Sequence, residues 1–585
     1  MTARHAEGGT PPATANGRSG WTAADPSTAP QADAKQTADA GKARPSAKSI
    51  VLAAVLAVGM VLAFLLTGAG AYNNDQWFIL ENGRQILEHG FPRTDPFHVW
   101  GGSIVMENWL WSVIMFLAWK ATDGAVGPAV VVWLTGGCMA FLAWKTSKLV
   151  SPSLYAACAS ALFAVCLVAG SLNMVMRPSV ASLTLTMLSL LLVMLHAKTG
   201  HARWLALVPV VMLAAFNLHM SMAWFVVLVP GVLILVRVVT TAARTKNAVA
   251  TMRLTGQYAL TVAASIAVTF ANPYGLDGVL FLLRSAHIAD YKSQIFELMP
   301  LVPLFDSGNA YYNATSTISY ACMLVLGLAM LVSLLARSRT KTTDAGQTGL
   351  QDRRGSEDQL AMDAWFAGAG LLAAGVIASM WIAIRLNVIL AFAAPLLLPV
   401  ASSAVSRWME GCRLTARKPK RASIWRWIVV GITALAAIAA PCTVTPLKIP
   451  VWQWKQYVDL LDTTQAFEAL EKAGGRPGDK VWTDGIYGAY LVWNGYKVTH
   501  DMRPELIETA LNGKPGHHYY DYVDAQFFDD KAALKRTISD GVDAGCTWFI
   551  VDDHKPVGRK LSTDSRFQRV GRVADYGVSV YKYAG

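Results

Sequence analysis

The sequence predicts a polytopic α-helical membrane protein of about eleven transmembrane helices, with interfacial helices in its first outer loop and a small extracytoplasmic α/β domain at the C-terminus. Three observations carry that expectation. The 585-residue chain is 54% hydrophobic and only 15% charged, and its apolar residues gather into runs of about 20, the length that crosses a bilayer. Lys and Arg cluster in the short loops on one side of those runs, as cytoplasmic loops do. From Trp452 onward the composition becomes that of a soluble domain, with short β-branched and aromatic runs alternating with helical ones.

Composition also excludes several classes. The net charge of +12 does not point to nucleic acid, because the basic residues are divided among loops between apolar runs. None of the seven Cys forms a CxxC pair; Cys138, Cys158, Cys166 and Cys322 fall in apolar segments and read as small buried hydrophobes. A disulfide between Cys442 and Cys546 is disfavoured. Neither GxxxxGK nor HExxH occurs, so a cytosolic ATPase or a zinc protease is not indicated.

Residues 1–47 are rich in Ala, Thr, Pro, Ser, Gly and Asp. Such a segment buries too little apolar surface to offset its chain entropy and reads as a disordered cytoplasmic tail. The run 49–71 is too long for a signal-peptide core and reads as an uncleaved first span. It opens a transmembrane domain, 48–450, whose first outer loop is 72–123. In that loop Ile79, Leu80, Gly83, Ile86 and Leu87 share one helical face while Glu81, Arg84, Gln85 and Glu88 take the other. That is the pattern of a helix lying in the membrane interface. Gly90 and Pro92 end it. Met106–Trp119 is apolar but too short to cross, and its Trp109, Trp111 and Trp119 suit an interface.

This choice fixes the parity of the remaining spans: 124–144, 153–172, 178–197, 204–218, 220–239, 256–272, 317–336, 361–383, 386–404 and 425–441. With the tail inside, the inner flanks carry 22 Lys and Arg and the outer segments before the C-terminal domain carry 7. Counting Met106–Trp119 as a crossing would reverse nearly all of that bias. The positive-inside rule therefore favours eleven spans, a cytoplasmic N-terminus and a C-terminal domain, 451–585, outside the cytoplasmic membrane. Within that domain the expected helices are Thr463–Ala473 and Lys531–Gly541, and the expected strands are Lys480–Thr483, Lys497–Thr499, Thr547–Val551 and Val578–Tyr583.

On this topology the polar interruptions of the apolar spans gather on one side. Asp75 follows the first span directly, and a carboxylate at the mouth of a span is costly to hold there. It can cap the following helix, or it can take a proton from a hydroxyl as a general base. Asp95 and Glu107 are further carboxylates of the first loop. Arg177 precedes Pro178 at the start of a span, Asn217 and His219 join two spans, and Asn272 and Tyr274 follow another. Each has an ordinary explanation as a cap, a turn or a snorkelling side chain. Arg385 is the only charge between Asp363 and Arg407. A guanidinium so isolated calls for an anionic partner such as a lipid phosphate.

These residues resemble the GT-C class of lipid-linked sugar transferases. Asn74-Asp75-Gln-Trp77, Gly83, Ile86-Leu87, Gly90, Pro92-Arg-Thr-Asp95-Pro-Phe97 and Glu107-Asn-Trp109-Leu110 are similar to the first-loop pattern of bacterial GT-C-like membrane proteins. Arg177-Pro178, Asn217-Leu-His219, Asn272-Pro-Tyr-Gly275, Arg385-Leu-Asn387 with Ala394-Pro395, Trp482-Thr-Asp484 and Asp501-Met-Arg503 follow in that family's order. The resemblance covers roughly residues 50–585.

It implies an inverting membrane glycosyltransferase that moves a sugar from a polyprenyl-phosphate lipid to an envelope glycan, lipid or protein acceptor. Asp75 would be the base, and Arg385, with Arg177 and His219, would hold the lipid phosphate. Asn217, Asn272, Tyr274, Glu107 and Asp95 would complete the substrate-binding set. Many members carry two acidic residues where this chain has Asn73-Asn74-Asp75. A single carboxylate weighs against a divalent metal without excluding one, and no other cofactor is indicated. A transporter or flippase is the rival, which would need polar residues facing each other at mid-membrane. A scaffold presenting the C-terminal domain to envelope proteins is another.

Overall fold

The computed structural model describes residues 75–170, 176–285, 310–343, 353–380, 384–411, 462–501, 503, 518–573 and 577–585. The expected tail, the spans 49–71 and 425–441, and Cys442 lie outside these residues.

Two helices come first, α1 (Asp75–His89) and α2 (Trp109–Thr122), and they pack closely on each other. Gly83 permits this: a Cβ there would lie 2.2 Å from the Ser112 carbonyl oxygen. The bundle follows as α3 (Val126–Val150), α4 (Leu154–Gly170), α5 (Ser179–Thr199), α6 (Val208–Leu218), α7 (Phe225–Thr245), α8 (Ala248–Val268), the short α9 (Leu276–Ser285), α10 (Ala310–Thr343), α11 (Arg353–Met380) and α12 (Leu390–Gly411). Among the described residues four helical segments, within α3, α5, α7 and at Leu386–Ala404, are long and apolar enough to cross a membrane; four shorter apolar stretches fall at Leu154–Val168, Arg203–Leu218, Ser319–Leu335 and Asp363–Ala378.

Several expected boundaries move, for local reasons. The expected span 204–218 is broken into a turn, Arg203–Ala206, and α6, which has a Pro in its first turn. His219 is extended, with φ −164°, and ends α6; the chain then turns through Ser221 to Trp224, so α7 begins five residues later than expected. Asn247 caps α8 by accepting from the Ala250 amide at 3.0 Å, which starts that helix earlier. Gly83, Trp77, Trp111 and Met115 bring α1 and α2 into the buried core of the bundle.

The C-terminal region is a five-stranded mixed sheet of order β2-β1-β3-β5-β4. Its strands are β1 (Lys480–Thr483), β2 (Lys497–Val498), β3 (Trp548–Asp552), β4 (Phe567–Val573) and β5 (Val578–Tyr583). β1, β2 and β3 are parallel; β5 runs antiparallel to β3 and to β4. Helices α13 (Asp462–Lys472), α14 (Gly485–Trp493), α15 (His518–Phe527), α16 (Lys531–Asp543) and α17 (Pro556–Leu561) cover it.

The first loop completes this sheet. Phe97–Val99 runs along the β2 edge, with Val498 N–H donating to the Phe97 carbonyl at 3.0 Å and Val99 N–H donating to the Val498 carbonyl at 2.9 Å. An otherwise open strand edge is thereby paired. The expectation for α1 is corrected at this interface. Its presumed water-facing side holds Glu81, which is buried together with Asn82, because α14 packs on that side. Leu87, assigned to the apolar face, is exposed instead. The helix is clamped between protein surfaces along most of its length.

Candidate active site

Asp75 opens α1 as the acidic residue of its first turn. Arg177 Nε donates to Asp75 Oδ2 at 2.5 Å. A charge-assisted bond of this kind fixes the orientation of the carboxylate. Trp111 Nε1 donates to the Met176 carbonyl, so α2 holds the segment that presents Arg177. Asn73 and Asn74 lie outside the described residues.

The other polar blocks meet the same loop. Met220 N–H donates to the Glu107 carbonyl at 2.9 Å, and the Glu107 carboxylate lies 4.0 Å from His219 Nε2. His219 also reaches Ser182 Oγ through Nδ1 at 3.2 Å and Ser221 Oγ through Nε2 at 3.1 Å. Trp109 Nε1 donates to Asn217 Oδ1 at 3.0 Å, and Arg93 donates to the Pro273 carbonyl at 2.7 Å. The geometry thus gathers Asp75, Arg177, Glu107, His219, Asn217 and the Asn272 turn around one loop. The side chain of Arg385 lies outside the described residues; its backbone belongs to a short 3₁₀ helix, Ile384–Ile389, that leads into α12.

These residues differ in what they have left to offer a ligand. Both Asn217 Nδ2 hydrogens are used, by the Leu213 and Ala271 carbonyls. Asn272 closes its own turn: Nδ2 donates to Thr269 and Gly275, and Oδ1 accepts from the Tyr274 amide. Tyr274 is buried under Phe91 and Arg93, and burial pushes its hydroxyl up to about 12. The two amides build the loop, and Tyr274 offers a neutral hydroxyl.

Asp95 is also committed. Its Oδ2 meets His98 Nδ1 at 2.7 Å, and its Oδ1 accepts from the Phe97 amide at 2.8 Å. His98 Nε2 lies 3.3 Å from Asp501 Oδ1. Arg503 Nε donates to Asp501 Oδ2 at 2.8 Å, and Arg503 Nη1 donates to Asn82 Oδ1 at 3.2 Å. All these side chains are buried. Burial alone would push the His98 imidazole down, yet the carboxylates of Asp95 and Asp501 hold it up at about 9. Asp95 and Asp501 are lowered against their own desolvation, Asp95 by His98 first and Asp501 by Arg503 first. Adjacent His500, buried without such a carboxylate, is pushed down to about 3.

Sequence reasoning gave no role to His98, Asn82 or Arg503. Asp95 and His98 stand three residues apart, a spacing that could have drawn notice; the partnership of Asn82 and Arg503 spans 421 positions and leaves no local trace. A small cavity of about 30 Å³ lies beside these residues, lined by Phe78, Asn82, Val105, Met106, Glu107, Asn108, Phe281 and Arg503. Among the described residues, no three His, Cys, Asp or Glu side chains come together to hold a metal ion.

No protein-family model matches the chain, and no curated protein matches its sequence. Solved structures do. ArnT from Cupriavidus metallidurans, in its apo state, is similar over 92% of this chain and 98% of its own, with a TM-score of 0.50 and 11% identity. The chain has a GT-C-like fold. The Archaeoglobus fulgidus oligosaccharyltransferase, also in apo form, aligns over 85% of this chain and 69% of its own at a TM-score of 0.48 and 12% identity. With four described helical segments long and apolar enough to cross a membrane and a small C-terminal sheet, the chain has the architecture of a multi-pass membrane protein.

Proposed function

We propose that the protein is an inverting glycosyltransferase on the outer face of the cytoplasmic membrane, moving a sugar from a polyprenyl-phosphate donor to an envelope acceptor. The observation that supports this reading is that one loop meets Arg177 through Asp75, His219 through Glu107, Asn217 through Trp109 and the 272 turn through Arg93. Asp75 removes the proton of an acceptor hydroxyl as that oxygen attacks the anomeric carbon. The bond from that carbon to the donor phosphate oxygen breaks, and the lipid phosphate leaves with the electron pair. Arg385, with Arg177 and His219, stabilises the charge growing on the phosphate. The packing of the first loop on the C-terminal sheet supports one side of the membrane for both, as the eleven-span topology requires.

Reconstituted protein supplied with polyprenyl-phosphate sugars tests the reading: release of the lipid phosphate with transfer of the sugar supports it, and absence of both across a donor panel overturns it. Donor titration tests Arg385. Its planar fork can hold two phosphate oxygens where Lys presents a point charge. Arg385→Ala is expected to lose on the order of 10- to 100-fold in donor affinity, the equivalent of one charged hydrogen bond, and Arg385→Lys less. Equal affinities in all three proteins would remove Arg385 from the site. The topology has its own test. Cys546 is a poor reporter, since it is buried and its thiol is pushed up to about 12. A cysteine placed at exposed Lys535 is expected to react with an impermeant thiol reagent in cells with intact cytoplasmic membranes; labelling only after lysis would put the domain inside.

A further inference from the structure

Among the charged groups near the site, Arg503 belongs to the C-terminal domain yet reaches the helix that begins with Asp75. Its guanidinium is anchored at home, where Nε donates to Asp501 Oδ2 and the Arg503 amide donates to Asp501 Oδ1, each at 2.8 Å. Asp501 is braced in turn by His98 at 3.3 Å. From that anchor Nη1 crosses to Asn82 Oδ1 at 3.2 Å, and the guanidinium stacks over Phe78 at 4.8 Å. Phe78 and Asn82 follow Asp75 by three and seven positions, so all three lie on one side of α1. The same guanidinium walls the small cavity that Glu107 and Asn108 line.

A second tie fixes the rotation of the helix. Arg84 donates to the Trp493 carbonyl at 2.7 Å and lies 4.5 Å over that indole. Trp77 meets Tyr490 edge-on at 4.9 Å. The helix therefore cannot turn or slide without breaking contacts to the C-terminal domain at four of its residues, Trp77, Phe78, Asn82 and Arg84.

We propose that Arg503 is a positioning residue for the transfer reaction: through Asn82 it makes the C-terminal domain the brace that holds Asp75 in register with the acceptor. This rests on the reading of Asp75 as the base. Misplacing a reacting group by about 1 Å can cost on the order of 100-fold in rate without any loss of binding. The fork of Arg satisfies Asp501 and Asn82 together, and the single ammonium of Lys cannot cover both directions.

Asn82→Ala cuts the tie at the α1 end and leaves the Asp501–Arg503–His98 anchor whole, so it is the primary variant. Its turnover per folded protein is expected to fall between about tenfold and 100-fold, with donor affinity unchanged. Asn82→Asp keeps an acceptor oxygen facing Arg503 and is expected to restore most of the rate. Arg503→Lys should match Asn82→Ala in turnover. Unchanged turnover in Asn82→Ala, or a parallel loss of donor affinity, would overturn the proposal. Hydrogen exchange along Trp77–Gly83, followed in the same proteins, separates this inference from the reading beneath it. If the wild type transfers no sugar, the assignment of Asp75 fails on its own account. Faster exchange in Asn82→Ala would then still establish the brace, and unchanged exchange would remove it.

Discussion

The first loop carries two ionic groups that look alike on paper and differ in surroundings. Asp75 and Arg177 form an ion pair whose side chains keep 12% and 27% of their exposure. Asp95, His98, Asp501 and Arg503 form a chain of alternating charges in which none keeps more than 5%. The first pair joins α1 to the bundle, and the second joins the loop to the C-terminal sheet. A carboxylate that must accept a proton from a substrate needs an approach and one partner that orients it. A carboxylate sealed among cations and amides has its charge fixed, and it serves architecture.

Substitutions should separate the two groups by what they damage. The largest effect is expected at Asp75. Asp75→Asn keeps the size and hydrogen-bonding shape of the side chain but cannot take a proton, so transfer should drop by about 10²–10⁴ while expression and melting temperature hold. Measurable transfer at the wild-type rate would reduce Asp75 to an end-of-helix role. Asp501→Asn should show the opposite profile. It leaves Arg503 and His98 buried with one fewer anionic partner, a change that costs about 3–5 kcal/mol, so the yield of folded protein should fall before any rate can be compared. A variant as stable as the wild type would dissolve the distinction drawn here.

The smallest effect expected is a pH dependence confined to the sealed group. His98 in the folded protein is held at about 9, above its ordinary value of 6.5. Its contribution to stability is therefore complete below the ordinary value and is lost as pH rises through about 9. Asp95 and Asp501 are lowered, so their contributions are complete above the ordinary 3.8 and fade only as pH falls through the depressed values. Thermal unfolding in detergent should show a downward step between neutral pH and about 9, and His98→Gln should lose that step. An identical step in both proteins would place its origin elsewhere.

Much of this architecture is legible in the residues themselves. The helices of the bundle announce themselves by apolar length, and β1, β3 and β5 by β-branched and aromatic runs, because each signal is local. β4 escaped for a local reason too: Phe567–Val573 carries a register shift between Arg569 and Gly571, which breaks the alternation that marks a strand. Helix α14 escaped because Gly485, Gly488 and its aromatic residues are weak helix formers. Burial of Tyr487, Ala489 and Leu491 sustains it instead, and Gly488 is required where a Cβ would strike the His500 carbonyl at 2.0 Å. At the site, the contacts of the first loop with Arg177 and His219 match the expectation that these polar interruptions belong together. The role of Asp95 could not be read this way, because its charge is neutralised by a histidine whose second partner is some 400 residues away.

The sheet edge completed by Phe97–Val99 sets an order on biosynthesis. Trp100 donates its indole N–H to the Thr499 carbonyl across 399 positions, so the ribosome must add roughly 400 residues, about 20–80 s of elongation at ordinary speed, before the loop meets its partner strand. Until then Phe97–Val99 lacks its partner strand, and the helix that begins with Asp75 is held by α2 and the bundle alone. A nascent chain halted between α12 and β2 would carry the first loop and helices α1 to α12, yet lack the strand that pairs with Phe97–Val99. The first loop thus finds its last partner only after β2 has been made, and truncations before Lys497 should leave Phe97–Val99 open to protease, which limited proteolysis would detect.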